Sequence, residues 1–223
     1  MEVDARLLVW LSPSFPVGAF AYSHGLELAA ERGWVVGREG LAAWIGDLVA
    51  CGSLRNDLVL LAAAWRAAVA NDRDAVMAVN DLALALQPSA ERHLETVGQG
   101  QAFLTTIAAA WENGDASSPP DWPGEAAYAA AVGATTGRHG MALEGTLLAY
   151  GIQFATNLVS AGIRLSLIGQ TDGQRILAAM LPALYAAADA ARAATLDDLG
   201  SATLRSDLAS LAHETQYSRL FRS

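Results

Sequence analysis

Lysine is absent from this chain of 223 residues, so its fourteen basic residues are all arginine. Set against 23 acidic residues they leave a formal charge of −9. That balance argues against a nucleic-acid binder, which would need a basic face to displace phosphate counterions. Cysteine occurs once, at Cys51. A single thiol excludes an internal disulfide and a thiolate metal cluster within one chain, and fits a reduced, cytoplasmic setting. The opening Met-Glu-Val-Asp lacks the cationic flank and apolar run of a secretory signal. The four histidines, His24, His93, His139 and His213, never stand three or four residues apart, so no helix offers a paired imidazole metal site. A site shared across a symmetric dimer, such as His24 with its copy, stays open. Gly-Lys-Ser/Thr, Gly-x-Gly-x-x-Gly and Gly-x-Ser-x-Gly motifs are all missing, so nucleotide binding and that hydrolase chemistry have no support, and no cofactor is expected.

What is present is apolar: 53% hydrophobic residues against 17% charged, the balance of a globular chain with a sizeable core. No segment alternates with period two and no long repeat is evident, whereas three- and four-residue apolar spacing recurs throughout. The spacing predicts helices over about 4–11, 38–50 and 58–69, then one capped by Asn71 and broken by Pro88. Ser89 is the expected N-cap of a long helix to about 111, with Leu94, Val97, Gln101 and Leu104 on its apolar face. A loop over 112–124 follows, then a weak helix over 126–136 carrying Gly133 and Gly137. A long helix over 141–168 contains about nineteen uncharged residues from 145 to 163, roughly membrane-spanning length. Its Thr, Gln, Asn and Ser residues favour a buried core helix over a membrane span, enclosed by the bundle or by a second copy. Another helix over 174–194 is expected to be kinked or divided at Pro182. A capped turn at Thr195 and a last amphipathic piece over 207–217 complete an all-α, single-domain helical bundle of about ten helices spanning 1–223.

Three stretches depart from the alanine- and leucine-rich background. In the first, Ser12 to Glu27, Pro13 and Pro16 stiffen a loop, Gly18 permits a positive φ, and a helix from about Ala19 would place Phe20, His24 and Glu27 near one face. Tyr22, Ser23, His24 and Glu27 then read either as a self-capped helix start with a satisfied core histidine or as a surface facing a partner or a second copy. Adjacent Ser23 and His24 point about 100° apart on a helix, a poor nucleophile–base pair. The second is Gly169-Gln-Thr-Asp-Gly-Gln174, where Thr171 or Asp172 could cap a helix, and Gln170 and Gln174 either satisfy turn carbonyls or present amides to a partner. The third is His213-Glu-Thr-Gln-Tyr-Ser-Arg-Leu-Phe-Arg-Ser223. Leu220 and Phe221 between Arg219 and Arg222 make a cationic, apolar tip on an acidic protein, expected to be flexible alone and to order on binding.

These three motifs, spread over nearly the whole chain, resemble those of the urease accessory protein UreF family. The resemblance implies an all-helical, dimeric, cytoplasmic protein with no reaction of its own. Such a protein joins UreD (UreH) and the GTPase UreG to the urease apoprotein, regulates the GTPase, and assists nickel incorporation, nickel and GTP being handled by the partners. It implies interaction roles for Pro16, Gly18, Tyr22, Ser23, His24, Gly25 and Glu27, for Gln170, Asp172 and Gln174, and for His213, Tyr217, Arg219, Leu220, Phe221 and Arg222. Two other readings stand beside it: a helical adaptor outside the urease system, and a small helical enzyme using Tyr22, His24 and Glu27.

Overall fold

A computed structural model describes residues 4–112 and 122–222. Among these residues the regular structure is helical throughout, ten α-helices and two short 3-10 turns. They are α1 (Ala5–Trp10), α2 (Leu26–Glu31), α3 (Gly37–Cys51), α4 (Ser53–Val69), α5 (Arg73–Ala85), α6 (Ala90–Ala110), α7 (Tyr128–Arg138), α8 (Leu143–Arg164), α9 (Gln170–Ala193) and α10 (Leu204–His213). Most of the 112–124 loop lies outside the described residues.

The helix read as weak, α7, is the most enclosed. Every residue from Tyr128 to Gly137 is buried, and the helix packs along α4 and against α6. Its alanines and glycines are what let the backbones approach. A Cβ at Gly133 would lie 2.3 Å from the Leu61 carbonyl oxygen, and one at Gly137 would lie 2.7 Å from that of Trp65. Around this pair α3, α8 and α9 close the core with Leu41, Ile45, Leu48, Leu147, Phe154, Leu158 and Leu184. α8 leaves only Glu144, Ile152, Ser160 and Arg164 exposed, so the bundle itself encloses it on most sides.

Several boundaries follow the signals in the sequence. Ser89 caps α6 by accepting from the Arg92 amide, Gly33 ends the α2 turn at φ +68, and Thr195 and Asp198 form a reciprocal capping box. Others differ. Asp72, not Asn71, caps α5, and Asn71 takes a left-handed φ of +56 ahead of it. α9 begins at Gln170 and continues through Pro182 without dividing. Its N-cap is Gly169, so neither Thr171 nor Asp172 serves as one. The last helix ends at His213, four residues short of expectation.

Candidate functional site

The first motif does not run into a continuous helix. After Gly18, at φ +73, a 3-10 turn covers Ala19–Ala21; Tyr22 is extended, and His24 and Gly25 both take left-handed backbone, at φ +55 and +74. Two successive left-handed residues cannot belong to an α-helix. They reverse the chain so that the Ser23 hydroxyl accepts from the Glu27 amide at 3.3 Å, and α2 starts only at Leu26. The expected shared face therefore dissolves: Phe20 is 71% exposed, while His24 and Glu27 are buried. Tyr22 is buried as well, its carbonyl accepting from Asn157.

The side chains that receive this loop come from α6, in two layers one helical turn apart. In the first, Glu95 accepts from His24 Nε2 and Gln99 Nε2, each at 2.9 Å, and pairs with Arg92. Burial, together with the nearby Arg92 charge, lowers the His24 pKa, although Glu95 opposes the shift. Among the described residues, His24 Nδ1 has no partner, and neither has the buried Tyr128 hydroxyl. Both residues line a cavity of about 30 Å³ together with Asp57, Arg92 and Tyr150. Tyr150 donates to Asp57 at 3.2 Å. Asp57 keeps some exposed surface at its residue, yet enclosure of the carboxyl pushes its pKa up to about 6.

In the second layer Glu91 faces the C-terminus. His213 is wholly buried between two carboxylates, with Nδ1 at 2.7 Å from Glu91 and Nε2 at 3.1 Å from Glu27. Glu27 also accepts from two consecutive backbone amides, Leu220 at 2.7 Å and Phe221 at 2.9 Å. Arg219 pairs with the other oxygen of Glu91 at 2.6 Å. Phe221 is buried beneath the Arg164 guanidinium, 4.2 Å from its ring, and the Arg222 amide donates to the Ala21 carbonyl. The first motif, a signature loop, and the tail are thus complementary within the chain: Glu27 meets tail amides and His213, and Arg219 goes to Glu91. Tyr217, Arg219, Leu220 and Arg222 remain exposed.

The structure brings the first and third motifs together. The second lies on the opening turn of α9, with Gln170 and Gln174 exposed and Gly173 pressed against Val159 and Ile163 of α8. Asp172 accepts from Arg175 at 2.9 Å. Leu165 and Leu167, which lead into this turn, line a groove with Gln216, Tyr217 and Ser218. Pro16 is exposed, and Gly18 is half-buried at the far side of the signature loop.

The sequence reading missed the α6 side chains that hold the site. It chose Leu94, Val97, Gln101 and Leu104 for the inward face, yet Leu94 is 65% exposed. Counting back in fours from the core residues Ile107 and Phe103 lands on Gln99, Glu95 and Glu91. The stripe was legible, but its polar half reads as a solvated face when apolar residues alone are counted.

Comparison with known proteins decides the family. The UreF family model matches residues 35–181. The chain belongs to the UreF family. The UreF protein of Methylobacterium radiotolerans is 53% identical to it over 219 residues, covering 98% of this chain and 96% of that one. That of Methylorubrum populi is 52% identical over 223 residues, covering 99% and 100% respectively, and that of Rhodopseudomonas palustris strain BisB5 is 52% identical over 98% of this chain and 90% of its own. Each is named a urease accessory protein. That name describes a role accessory to urease rather than a catalytic one. The family model begins beyond the signature loop and ends before the tail, whereas these three relatives align across 98% or more of the chain.

Proposed function

We propose that this chain is a non-catalytic scaffold for nickel incorporation into urease, joining UreD (UreH) and the GTPase UreG to the urease apoprotein and regulating the GTPase. Nickel and GTP are handled by those partners. The chain works in the cytoplasm as a homodimer. The observation that carries this reading is the tail laid over the signature loop, which presents Tyr217, Leu220 and Arg222 outward from an acidic molecule. Aromatic, aliphatic and arginine side chains grouped in this way make efficient interface anchors.

Roles divide by burial. Pro16, Gln170, Gln174, Tyr217, Arg219, Leu220 and Arg222 are exposed and make direct contacts. Tyr22, Ser23, His24, Gly25, Glu27, His213 and Phe221 are buried and shape the surface from beneath, while Gly18 and Asp172 stand at its margin. The enzyme reading is disfavoured by the same geometry. The cavity beside His24, at about 30 Å³, has room for about two waters and not for a substrate.

The test is affinity capture of the tagged chain from its own cells, full length beside a version ending at Gln216. That end point retains His213 but removes the tail together with its buried Phe221, so the thermal unfolding of the shortened chain is measured beside capture, and an unchanged midpoint shows that a loss reports the tail. The full-length chain is expected to recover a urease-type GTPase and a second accessory protein, and the shortened one to lose both. Recovery of neither by the full-length chain would overturn the reading, and recovery of unrelated proteins would favour the general adaptor.

A further inference from the structure

We infer that Glu91 is the positioning residue of this surface: through His213 and Arg219 it decides whether the tail is seated on the signature loop. The inference rests on the scaffold reading only for the importance of that surface. The seat itself is argued from the chain's own contacts.

Those contacts form a closed circuit. Arg219 donates to one oxygen of Glu91, and the other oxygen meets His213 Nδ1. The opposite ring nitrogen meets Glu27, whose carboxylate holds the amides of Leu220 and Phe221, the two residues that follow Arg219. Glu27 and Glu91 each contact the tail on one side and His213, at the α10 terminus, on the other, but Glu91 is the one that holds a tail side chain, Arg219, rather than tail amides. It also stands in the first turn of α6, where the helix dipole stabilises a negative charge. The neighbouring groups pin the same end: the Ser89 and Ser210 hydroxyls are bonded to each other, and the Ala90 amide donates to Glu214 at 2.8 Å. α6 is therefore anchored to α10 independently of Glu91, which leaves Glu91 free to act on the tail. Apart from Glu91, the segment is held by the two amide contacts to Glu27, the Arg222 amide on the Ala21 carbonyl and buried Phe221, while the Tyr217 and Leu220 side chains lie in solvent. Removing the Glu91 charge leaves His213 with one carboxylate and Arg219 with none, while the α6–α10 contacts persist.

The experiment is hydrogen–deuterium exchange on the full chain carrying Glu91→Gln, an isosteric change that keeps a hydrogen-bonding oxygen. Exchange over 217–222 is expected to quicken roughly tenfold to a hundredfold, the loss of charge-assisted bonds, while the amides of α6 and α10 keep their wild-type rates. Arg219→Gln provides a second variant at a largely exposed site that cannot unfold the core. It is expected to loosen the same segment by less, and the double variant to loosen it no further than Glu91→Gln, because both act through one pair. Wild-type exchange over 217–222 in either single variant, or strict additivity in the double, would overturn the inference. Partner capture measured beside it separates the two claims. A loosened tail with unchanged capture supports the role of Glu91 and sinks the partner surface instead.

Discussion

Residue 25 requires glycine for two separate reasons, and only one of them is backbone strain. Its φ of +74 lies in the left-handed region, and a Cβ there would fall 2.8 Å from the Ser210 amide nitrogen and 3.1 Å from the Ala209 backbone. α2 and α10 meet at this point with nothing between them. Gly18 has nearly the same φ, +73, but no neighbour within 4 Å of a built Cβ. The comparison separates the two costs. Gly18→Ala should lose about 1 kcal/mol, the left-handed penalty alone, whereas Gly25→Ala should lose about 2–4 kcal/mol because α10 must also move away from α2. Urea unfolding of the two variants measures the difference. Equal losses would mean that the α2–α10 approach is looser than the structure has it. Since His213 ends α10, the Gly25 variant should also weaken the Glu27–His213 contact.

Between elements, the tightest approach is that of α7 to α4, and here the obstacle to any side chain is backbone. The Leu61 and Trp65 carbonyls belong to α4's own hydrogen-bonded ladder and cannot swing aside as a side chain could. Gly133→Ala and Gly137→Ala should each destabilise by about 2–3 kcal/mol, at the upper end of ordinary overpacking, and thermal unfolding of the single variants tests it. A neutral result at Gly133, where the built Cβ comes to 2.3 Å of oxygen, would place the helices further apart. This pair also shows what the sequence made legible. The small residues at 133 and 137 stand plainly in the sequence, but an Ala/Gly helix has too little apolar contrast to announce that it is the innermost element. The break at His24 and Gly25 was hidden for a different reason. Histidine at φ +55 is a conformation that only its neighbours justify, here the bond from Nε2 to Glu95 and the edge-to-face contact with Phe154. Tail placement failed to show in the sequence because the partners that Glu27 takes from residues 220 and 221 are backbone amides, which every residue but proline carries.

Over the whole molecule, two buried groups bend the stability curve in opposite directions between acid and neutral pH. The folded Asp57 carboxyl is raised from 3.8 to about 6 by burial. The folded chain therefore binds more protons there than the unfolded one, so its contribution is full below 3.8 and is lost as pH rises through about 6. His24 is lowered from 6.5 by burial. Its unfolded form binds the proton that the folded form refuses, so its contribution is present above 6.5 and is lost as pH falls below that value. The two slopes partly cancel, which predicts a shallow wild-type profile from about pH 4.5 to 7.5. Asp57→Asn should unmask the histidine, making stability climb with pH and adding on the order of 2 kcal/mol near neutrality. His24→Asn, a residue that tolerates left-handed backbone, should leave the opposite slope, falling with pH. Because the chain carries a net charge of −9, neutralising any acid relieves some repulsion, so exposed Asp197→Asn is the control for that general effect. Urea midpoints of all four proteins across this range decide the matter. If Asp57→Asn and Asp197→Asn trace the same curve, the Asp57 carboxyl is solvated and the cavity beside His24 is open to water.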